Sequence, residues 1–355
     1  QLSGLFRTDV KAYFNFLWSG DSSYRIWSML SEIQPRSLFF TKIISVINVL
    51  TFDNYWITSL YLSFLSFLGG WYMVHRLVEI LPSGRIAAVI SFLFFPTVVF
   101  WSSGMVKESL AMPSLFFLAG FLLLLIKKAK PNAVEWILLP VCLWVLWTLK
   151  YYWAVVFFPA AITIFIVQAL IMPKLKSKKP ATLIFFIWMI LFLLICSGAM
   201  FVHPNFHPEY FLQVIVENNQ VINSISDQEN IIHFYNLTPT WTSIIQNSPW
   251  ALFSGLLRPL FFEGGNLIKI LYSFENLLLL ILLMSSLKNL KNTNSLYWII
   301  GSAVITYTIV LCVFLTLSTP NFGTLARYRV GFLPFLVFLI TYKNPLLEKV
   351  IAKIK

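Results

Sequence analysis

Residues 100–110 read FWSSGMVKESL, and they lie between two strongly apolar stretches, residues 85–101 and 110–126. Each stretch is long enough, or nearly so, to cross a bilayer, which takes about 20 apolar residues. The joint between them is short, yet it places Lys107 and Glu108 side by side. A charged side chain costs about 2.5 to 3.5 kcal/mol at the bilayer centre and less near an interface. Because a turn between two spans does not need such a pair, these residues are the first candidates for a functional site.

The composition indicates a polytopic helical membrane protein. The chain has 355 residues, of which 58% are hydrophobic and only 11% are charged, whereas soluble domains carry about 25% charged residues. Cys142, Cys196 and Cys312 all lie inside apolar runs, away from polar clusters. They therefore predict neither a disulfide framework nor a metal site.

The apolar runs predict an all-α transmembrane bundle of about nine spans. A mixed segment, residues 1–53, precedes them, and residues 37–50 within it predict an amphipathic helix in the membrane interface. A polar loop, residues 203–266, separates a first bundle of six spans (residues 54–202) from the last three (residues 267–342). The predicted spans are residues 54–75, 85–101, 108–126, 134–149, 152–172, 181–202, 267–287, 295–317 and 328–342.

The distribution of Lys and Arg predicts the orientation of the bundle. Alternate joints hold 15 of the 26 basic residues but few acidic ones, and basic joints face the cytoplasm. These joints are residues 76–85, 127–133, 173–180, 288–294 and the C-terminal tail, 343–355. The net charge of +12 is thus a sign of topology, and a nucleic-acid partner is not expected. Residues 1–53 fall outside the cytoplasm, so we expect a further span upstream of them.

The opposite, extracytoplasmic face collects ionisable groups at the ends of spans. Carboxylates can act as general bases, and Arg and Lys are the usual phosphate ligands. A cavity that carries both at the level of the lipid headgroups suits an amphiphile with a phosphate head, such as a lipid-linked sugar. The groups are Asp9 and Asp21 in the first loop, Lys107 and Glu108, Lys150 with two tyrosines, Arg258 and Glu263, and Arg327-Tyr328-Arg329.

Each group also has an interpretation without a function. Lys107 and Glu108 can cap a helix start as an ion pair, since Glu is favoured in a first turn. Arg327 and Arg329 can extend to lipid phosphates from the end of a span. Lys150 beside two tyrosines is typical of an interfacial anchor, and the two aspartates can be solvated loop residues.

The layout resembles the GT-C superfamily of integral-membrane glycosyltransferases, which have a long extracytoplasmic first loop followed by many spans. DVKAY at residues 9–13 is similar to the acidic motif of that loop, and GDSSY at residues 20–24 is a second candidate. FPTVVFWSSGMVKE at residues 95–108 is similar to a Pro-to-Lys-Glu stretch in bacterial membrane proteins of this type. NFGTLARYR at residues 321–329, followed by Leu333-Pro334, resembles their Arg-Tyr stretch before a late span.

The resemblance implies inverting transfer of a sugar from a polyprenyl-phosphate carrier to a glycan or protein acceptor. The reaction would take place on the outer face of a bacterial inner membrane, among lipids and possible membrane-protein partners. No cofactor is expected, and the sequence leaves a metal ion open. The resemblance assigns the general base to Asp9 or Asp21. It assigns the lipid phosphate to Lys107, Arg258, Arg327 and Arg329, and orienting roles to Glu108, Glu263 and Tyr328.

Three other classes stay open at this stage. A polysaccharide polymerase or ligase of the O-antigen type shares the many spans, the large outer loop and the outer arginines. A non-catalytic subunit of a membrane assembly would share the architecture alone. A transporter of lipid-linked substrates usually places ionisable groups near the midplane, and the deep parts of spans 108–126, 152–172 and 295–317 carry none.

Overall fold

Helices account for nearly all of the chain that the structure describes. The structure is a computed structural model that describes residues 2–19, 35–174, 181–201, 207–265, 267–287 and 295–354. Within these ranges there is no β-strand, and an isolated antiparallel bridge pairs Ile231 with Asn321. The all-α prediction is therefore confirmed.

The helices follow one another with short connections. In chain order they are α1 (Leu2–Thr8), α2 (Val10–Ser19), α3 (Pro35–Thr51), α4 (Tyr55–Ile80), α5 (Pro82–Phe94), α6 (Pro96–Ser102), α7 (Glu108–Ile126), α8 (Ala133–Ile171), α9 (Ala181–Ala199), α10 (Pro208–Ile225), α11 (Trp241–Leu257), α12 (Leu267–Ser286), α13 (Ser295–Ser318), α14 (Phe322–Gly331), α15 (Leu333–Thr341) and α16 (Pro345–Ile354). Short 3₁₀ turns occupy Met172–Lys174 and Gln228–Asn230.

Five of the described helices are long and apolar enough to cross a membrane, and the number rises to seven if each of two bent pairs is one span. The bent pairs are α5 with α6, at 45°, and α14 with α15, at 68°. Each bend has a proline beside it, Pro96 at the start of α6 and Pro334 at the start of α15. Proline has no backbone N–H to continue a helix from the preceding turn. At Pro96 it also holds the residue before it, Phe95, in an extended conformation (φ −65°, ψ 123°).

Helix α8 folds back on itself at Lys150. Its 39 residues would extend about 58 Å, nearly twice the hydrocarbon thickness of a bilayer. Lys150 has non-helical backbone angles (φ −141°, ψ 55°). Trp136 before it packs on Phe121 of α7, while Ile164 after it lines a cavity together with residues near the same end of α7. Both halves therefore run alongside α7, and Lys150 lies at the turn between them.

Helices α4 and α7 pack closely against each other. A Cβ added to Gly69 would lie 2.4 Å from the Cα of Pro113, so only glycine allows this contact. Above it, Gly104 has a positive φ of 82° and donates its amide to Ser63 Oγ at 3.0 Å. These contacts fix the turn that leads into Lys107 and Glu108.

The described part of the first segment is a small helical layer beside the bundle. Helix α3 contains the predicted residues 37–50. Tyr13 of α2 hydrogen-bonds Ser45 of α3 at 3.1 Å, and Lys42 Nζ donates to the carbonyl of Leu17 at 2.9 Å. The two helices thus run antiparallel, and the start of α3 lies near the end of α2.

The long loop also folds into helices. Asn219 of α10 donates to the Leu317 carbonyl at 2.6 Å, and Gly255 of α11 lies so close to Thr316 that an added Cβ would be 2.2 Å from its Oγ1. Both helices therefore pack on the end of α13. At the other end of the bundle, Asn344 Nδ2 donates to the Leu282 carbonyl at 3.0 Å and holds the start of α16 against α12.

Candidate functional site

A buried carboxylate between two cations forms the centre of the candidate site. One oxygen of Glu108 lies 2.5 Å from Lys150 Nζ, and the other lies 2.6 Å from a guanidinium nitrogen of Arg327. The Glu108 side chain is 0% exposed, that of Lys150 4% and that of Arg327 31%. Glu108 is thus held as an anion, and Arg327 is the partner that also reaches the surface.

Three separate elements bring these residues together. Glu108 is the first residue of α7, Lys150 lies at the turn within α8, and Arg327 lies in the last turn of the first part of α14. The two prolines nearest in sequence do not cause the turn at Lys150, since Pro140 and Pro159 lie well inside the two halves of α8. One interpretation of the sequence paired Glu108 with its neighbour Lys107. In the structure, Glu108 pairs with Lys150 and Arg327 instead.

Aromatic rings surround the Lys150 ammonium group. Its Nζ lies 4.3 Å from the ring centroid of Tyr328 and 5.4 Å from that of Trp153. It also donates to the Tyr152 hydroxyl at 3.0 Å. Cation–π contacts of this kind stabilise a desolvated ammonium. Lys150 is therefore buried inside the bundle, where the sequence interpretation expected an anchor at the lipid surface, and Tyr328 orients it.

Lys107 and Arg36 add two more cations on the outer side of this cluster. Lys107 Nζ donates to Ser37 Oγ at 2.7 Å, and the Arg36 guanidinium lies 4.2 Å from the ring centroid of Tyr151. Burial lowers the pKa of Lys107, and the nearby Arg327 and Arg36 lower it further, although Glu108 opposes this. The shift indicates that Lys107 lies in a positive field that one carboxylate does not cancel.

We define the cation cluster as Arg36, Lys107, Lys150 and Arg327 around Glu108. In the part of the chain that the structure describes, Glu108 is the only carboxylate in ion-pair contact with any of these four side chains. Four cations thus share one carboxylate, which leaves an excess of three positive charges in the cluster. Lysine and arginine groups in such an arrangement bind oxyanions, and they stabilise negative charge that develops on a phosphate as a group leaves.

Arg329 belongs to a second, fully internal network. Its guanidinium donates to Asn276 Oδ1 at 2.6 Å and to Glu275 Oε1 at 3.2 Å. The other oxygen of Glu275 accepts the backbone amide of Thr97 at 2.9 Å, and Asn276 donates to the Pro259 carbonyl at 3.1 Å. The network ties both bent spans to α12, and it leaves the Arg329 side chain 3% exposed.

Two aromatic residues join the internal network to the cation cluster. Trp101 Nε1 donates to the Tyr272 hydroxyl at 3.0 Å. The Arg327 guanidinium lies 5.7 Å from the Trp101 ring, and that of Arg329 lies 5.8 Å from the Tyr272 ring. The position of Arg327 is thus coupled to the internal network through direct contacts.

Arg258 forms a third arrangement, at the end of α11. It makes two hydrogen bonds to Glu263, at 2.7 and 3.1 Å, and its guanidinium lies over the rings of Trp250 and Phe322 at 5.2 and 5.0 Å. Glu263 therefore holds the Arg258 guanidinium in place against these rings. Among the described contacts, none joins Arg258 directly to Glu108.

Asp9 lies away from the cation cluster, at the other end of α3. Its Oδ1 accepts the amide of Ala12 at 2.9 Å and caps α2. Because Asp9 lies one turn before Tyr13, which contacts Ser45, it is more than about 12 Å along α3 from Ser37, the partner of Lys107. Asp21, the other predicted base, lies outside the described residues.

Sequence reasoning listed Lys150 among the outer ionisable groups without assigning it a place in the site, and it missed Arg36. Lys150 had a usable signal, since it is a single charge in the middle of an apolar stretch that covers residues 136–172. Arg36 had none, because its place beside Tyr151 depends on how α3 packs against α8. The described residues contain no group of three or more His, Cys, Asp and Glu side chains that could hold a metal ion. No protein-family model, no curated protein and no solved structure matches this chain.

Proposed function

We propose that the protein is a membrane glycosyltransferase that takes a sugar from a polyprenyl-phosphate carrier on the extracytoplasmic face. The observation that carries the proposal is the cation cluster, in which Lys107, Arg36 and Arg327 lack a full complement of carboxylates. An oxyanion at the level of the lipid headgroups would supply the missing negative charge. A lipid phosphate presents such an oxyanion on a chain that stays in the bilayer.

The proposed sugar transfer uses these cations to stabilise the negative charge on the departing phosphate. The acceptor hydroxyl oxygen forms a bond to the anomeric carbon from the side opposite the phosphate, and the bond from that carbon to the phosphate oxygen breaks. The electron pair stays on the phosphate, where Arg327 and Lys107 stabilise it. Glu108 keeps Lys150 and Arg327 in place and is not the proton acceptor. The acceptor proton passes to a carboxylate of the first loop, for which Asp21 is the better candidate because Asp9 lies at the far end of α3.

The membrane arrangement belongs to the same proposal. We propose nine spans and a cytoplasmic C-terminus, in a protein of the bacterial inner membrane that belongs to the GT-C superfamily. The reversal of α8 at Lys150 supports the count, because it divides one long helix into two stretches that each suit a span. The proposal places the cation cluster at the outer end of α7, opposite the basic joints.

A polysaccharide polymerase or ligase of the O-antigen type is the second candidate. The position of Asp9 favours it, since such enzymes rely on outer cations more than on an aspartate of the first loop. The two functions use the same cation cluster. They differ in whether a carboxylate from residues 1–53 is essential.

The test is glycan synthesis by cells that depend on this protein. Lys107→Gln and Arg327→Gln should each lower product by about tenfold or more, the loss expected when one charge-stabilising donor is removed. Lys349→Gln, on the exposed side of α16, is the matched control and should leave synthesis unchanged. Full synthesis in both cluster variants, at equal protein levels, would exclude a role of the cation cluster in the reaction.

A further inference from the structure

The cation cluster has more positive charge than a single phosphodiester can neutralise. Lys150 and Glu108 lie 2.5 Å apart and form a neutral pair inside the bundle. Arg327 shares the same carboxylate, and Lys107 and Arg36 have no carboxylate partner among the described residues. We propose that the ligand of the cation cluster is a lipid diphosphate, whose two phosphate groups occupy an inner and an outer position. This inference rests on the proposed function and specifies its donor.

The charge count supports two phosphates. A phosphodiester carries one negative charge, so a sugar linked through one phosphate would leave two of the three cations without a partner. A diphosphate between a lipid and a sugar carries two. Uncompensated charges near the hydrocarbon region are costly. The second phosphate therefore neutralises one more of these three positive charges than a single phosphate can.

The burial of the cations separates two positions. Lys150 and Arg327 contact Glu108 inside the bundle, with side chains 4% and 31% exposed. Lys107 is half-buried and Arg36 is exposed, and both lie at Ser37 or next to it at the start of α3. The inner position is thus formed by Arg327, with Lys150 behind it. The outer position is formed by Lys107 and Arg36, which come from different elements.

The arginine and lysine side chains present their hydrogen-bond donors in different ways, and this difference fits the two positions. Arg327 has one guanidinium nitrogen on Glu108, which leaves other donors of its planar fork for phosphate oxygens. Arg36 stacks on Tyr151 and keeps its donors at the surface. Lys107, next to Glu108 in the sequence, is a compact charge that donates to Ser37 beside Arg36 and is close enough to both arginines for each to lower its pKa.

The experiment compares two probes that share one chain, farnesyl monophosphate and farnesyl diphosphate, with the full-length protein in detergent. Affinity is measured by calorimetry at fixed ionic strength, because exposed charges are screened by salt. We expect the diphosphate to bind at least about tenfold more tightly, the effect of one additional favourable charge contact. Arg36→Gln should weaken the diphosphate more than the monophosphate and so bring the ratio of the two affinities close to one. Lys349→Gln should keep the ratio of the unmodified protein.

The outcomes separate this inference from the proposed function. Equal affinities for the two probes would overturn the diphosphate and would leave a single-phosphate donor. An unchanged ratio in Arg36→Gln would overturn the outer position. If neither probe binds, or if Arg327→Gln does not weaken either of them, the cation cluster is not a phosphate site and the proposed function fails as well.

Discussion

Glu275 and Arg329 form an ion pair of 3.2 Å in which the side chains are only 7% and 3% exposed. The pair lies where the two bent spans meet α12, because Glu275 also accepts the amide of Thr97 at the start of α6. Asn276 Oδ1 accepts a further hydrogen bond from the Arg329 guanidinium at 2.6 Å. Broken spans around a buried charge also occur in transporters, but here each charge has its partner inside the protein, which favours a structural role.

The first prediction concerns the stability that this pair provides. Glu275→Gln and Arg329→Gln should each destabilise the protein by about 3 to 5 kcal/mol, because each leaves a buried charge without its partner. The double variant should lose clearly less than the sum of the two single losses. The measurement is the unfolding free energy or, where unfolding is irreversible, the thermal midpoint in one detergent. Strictly additive losses would mean that the two residues do not interact.

A second prediction concerns the contact between α4 and α7. Gly69→Ala places a methyl group 2.4 Å from the backbone of Pro113, so the helices must separate, at a cost of about 1 to 3 kcal/mol. Gly198→Ala is the matched control, since a Cβ there meets nothing within 4 Å. It should be neutral or stabilise α9 by up to about 1 kcal/mol. Equal thermal midpoints for the two variants would contradict the close approach.

The sequence predicts the helical class, the helix over residues 37–50 and the positions of most apolar helices, since each depends on local periodicity and composition. It does not predict the partners of Glu108. Arg327 is 219 positions away, and no local pattern links the two. Arg327 and Arg329 show the same limit. They are two residues apart on one short helix, and residues at this spacing point to different faces. One joins the cation cluster and the other joins the internal network.

A third prediction separates the two aspartates of the first loop. Asp9→Asn should keep glycan synthesis near the level of the unmodified protein, since Asn can still accept the Ala12 amide and cap α2. Asp21→Asn should reduce synthesis by about 100-fold or more if its carboxylate accepts the acceptor proton. The measurement is product per unit of protein in membranes. Full activity in both variants would exclude a base in either position and would favour the polymerase or ligase.

The last prediction uses the pKa of Lys107, which burial and the neighbouring Arg327 and Arg36 hold below the usual 10.5. The charged form binds phosphate, so affinity for farnesyl diphosphate should fall as the pH rises through this pKa, at a lower pH than for an exposed lysine. The phosphate groups do not cause the change, because they are ionised above about pH 7. Lys107→Arg should keep its affinity across the same range, since a guanidinium stays protonated there. The measurement is affinity from about pH 7 to 10, where we expect a loss of roughly tenfold in the unmodified protein. Identical pH profiles for the two proteins would show that the charge of Lys107 does not contribute to binding.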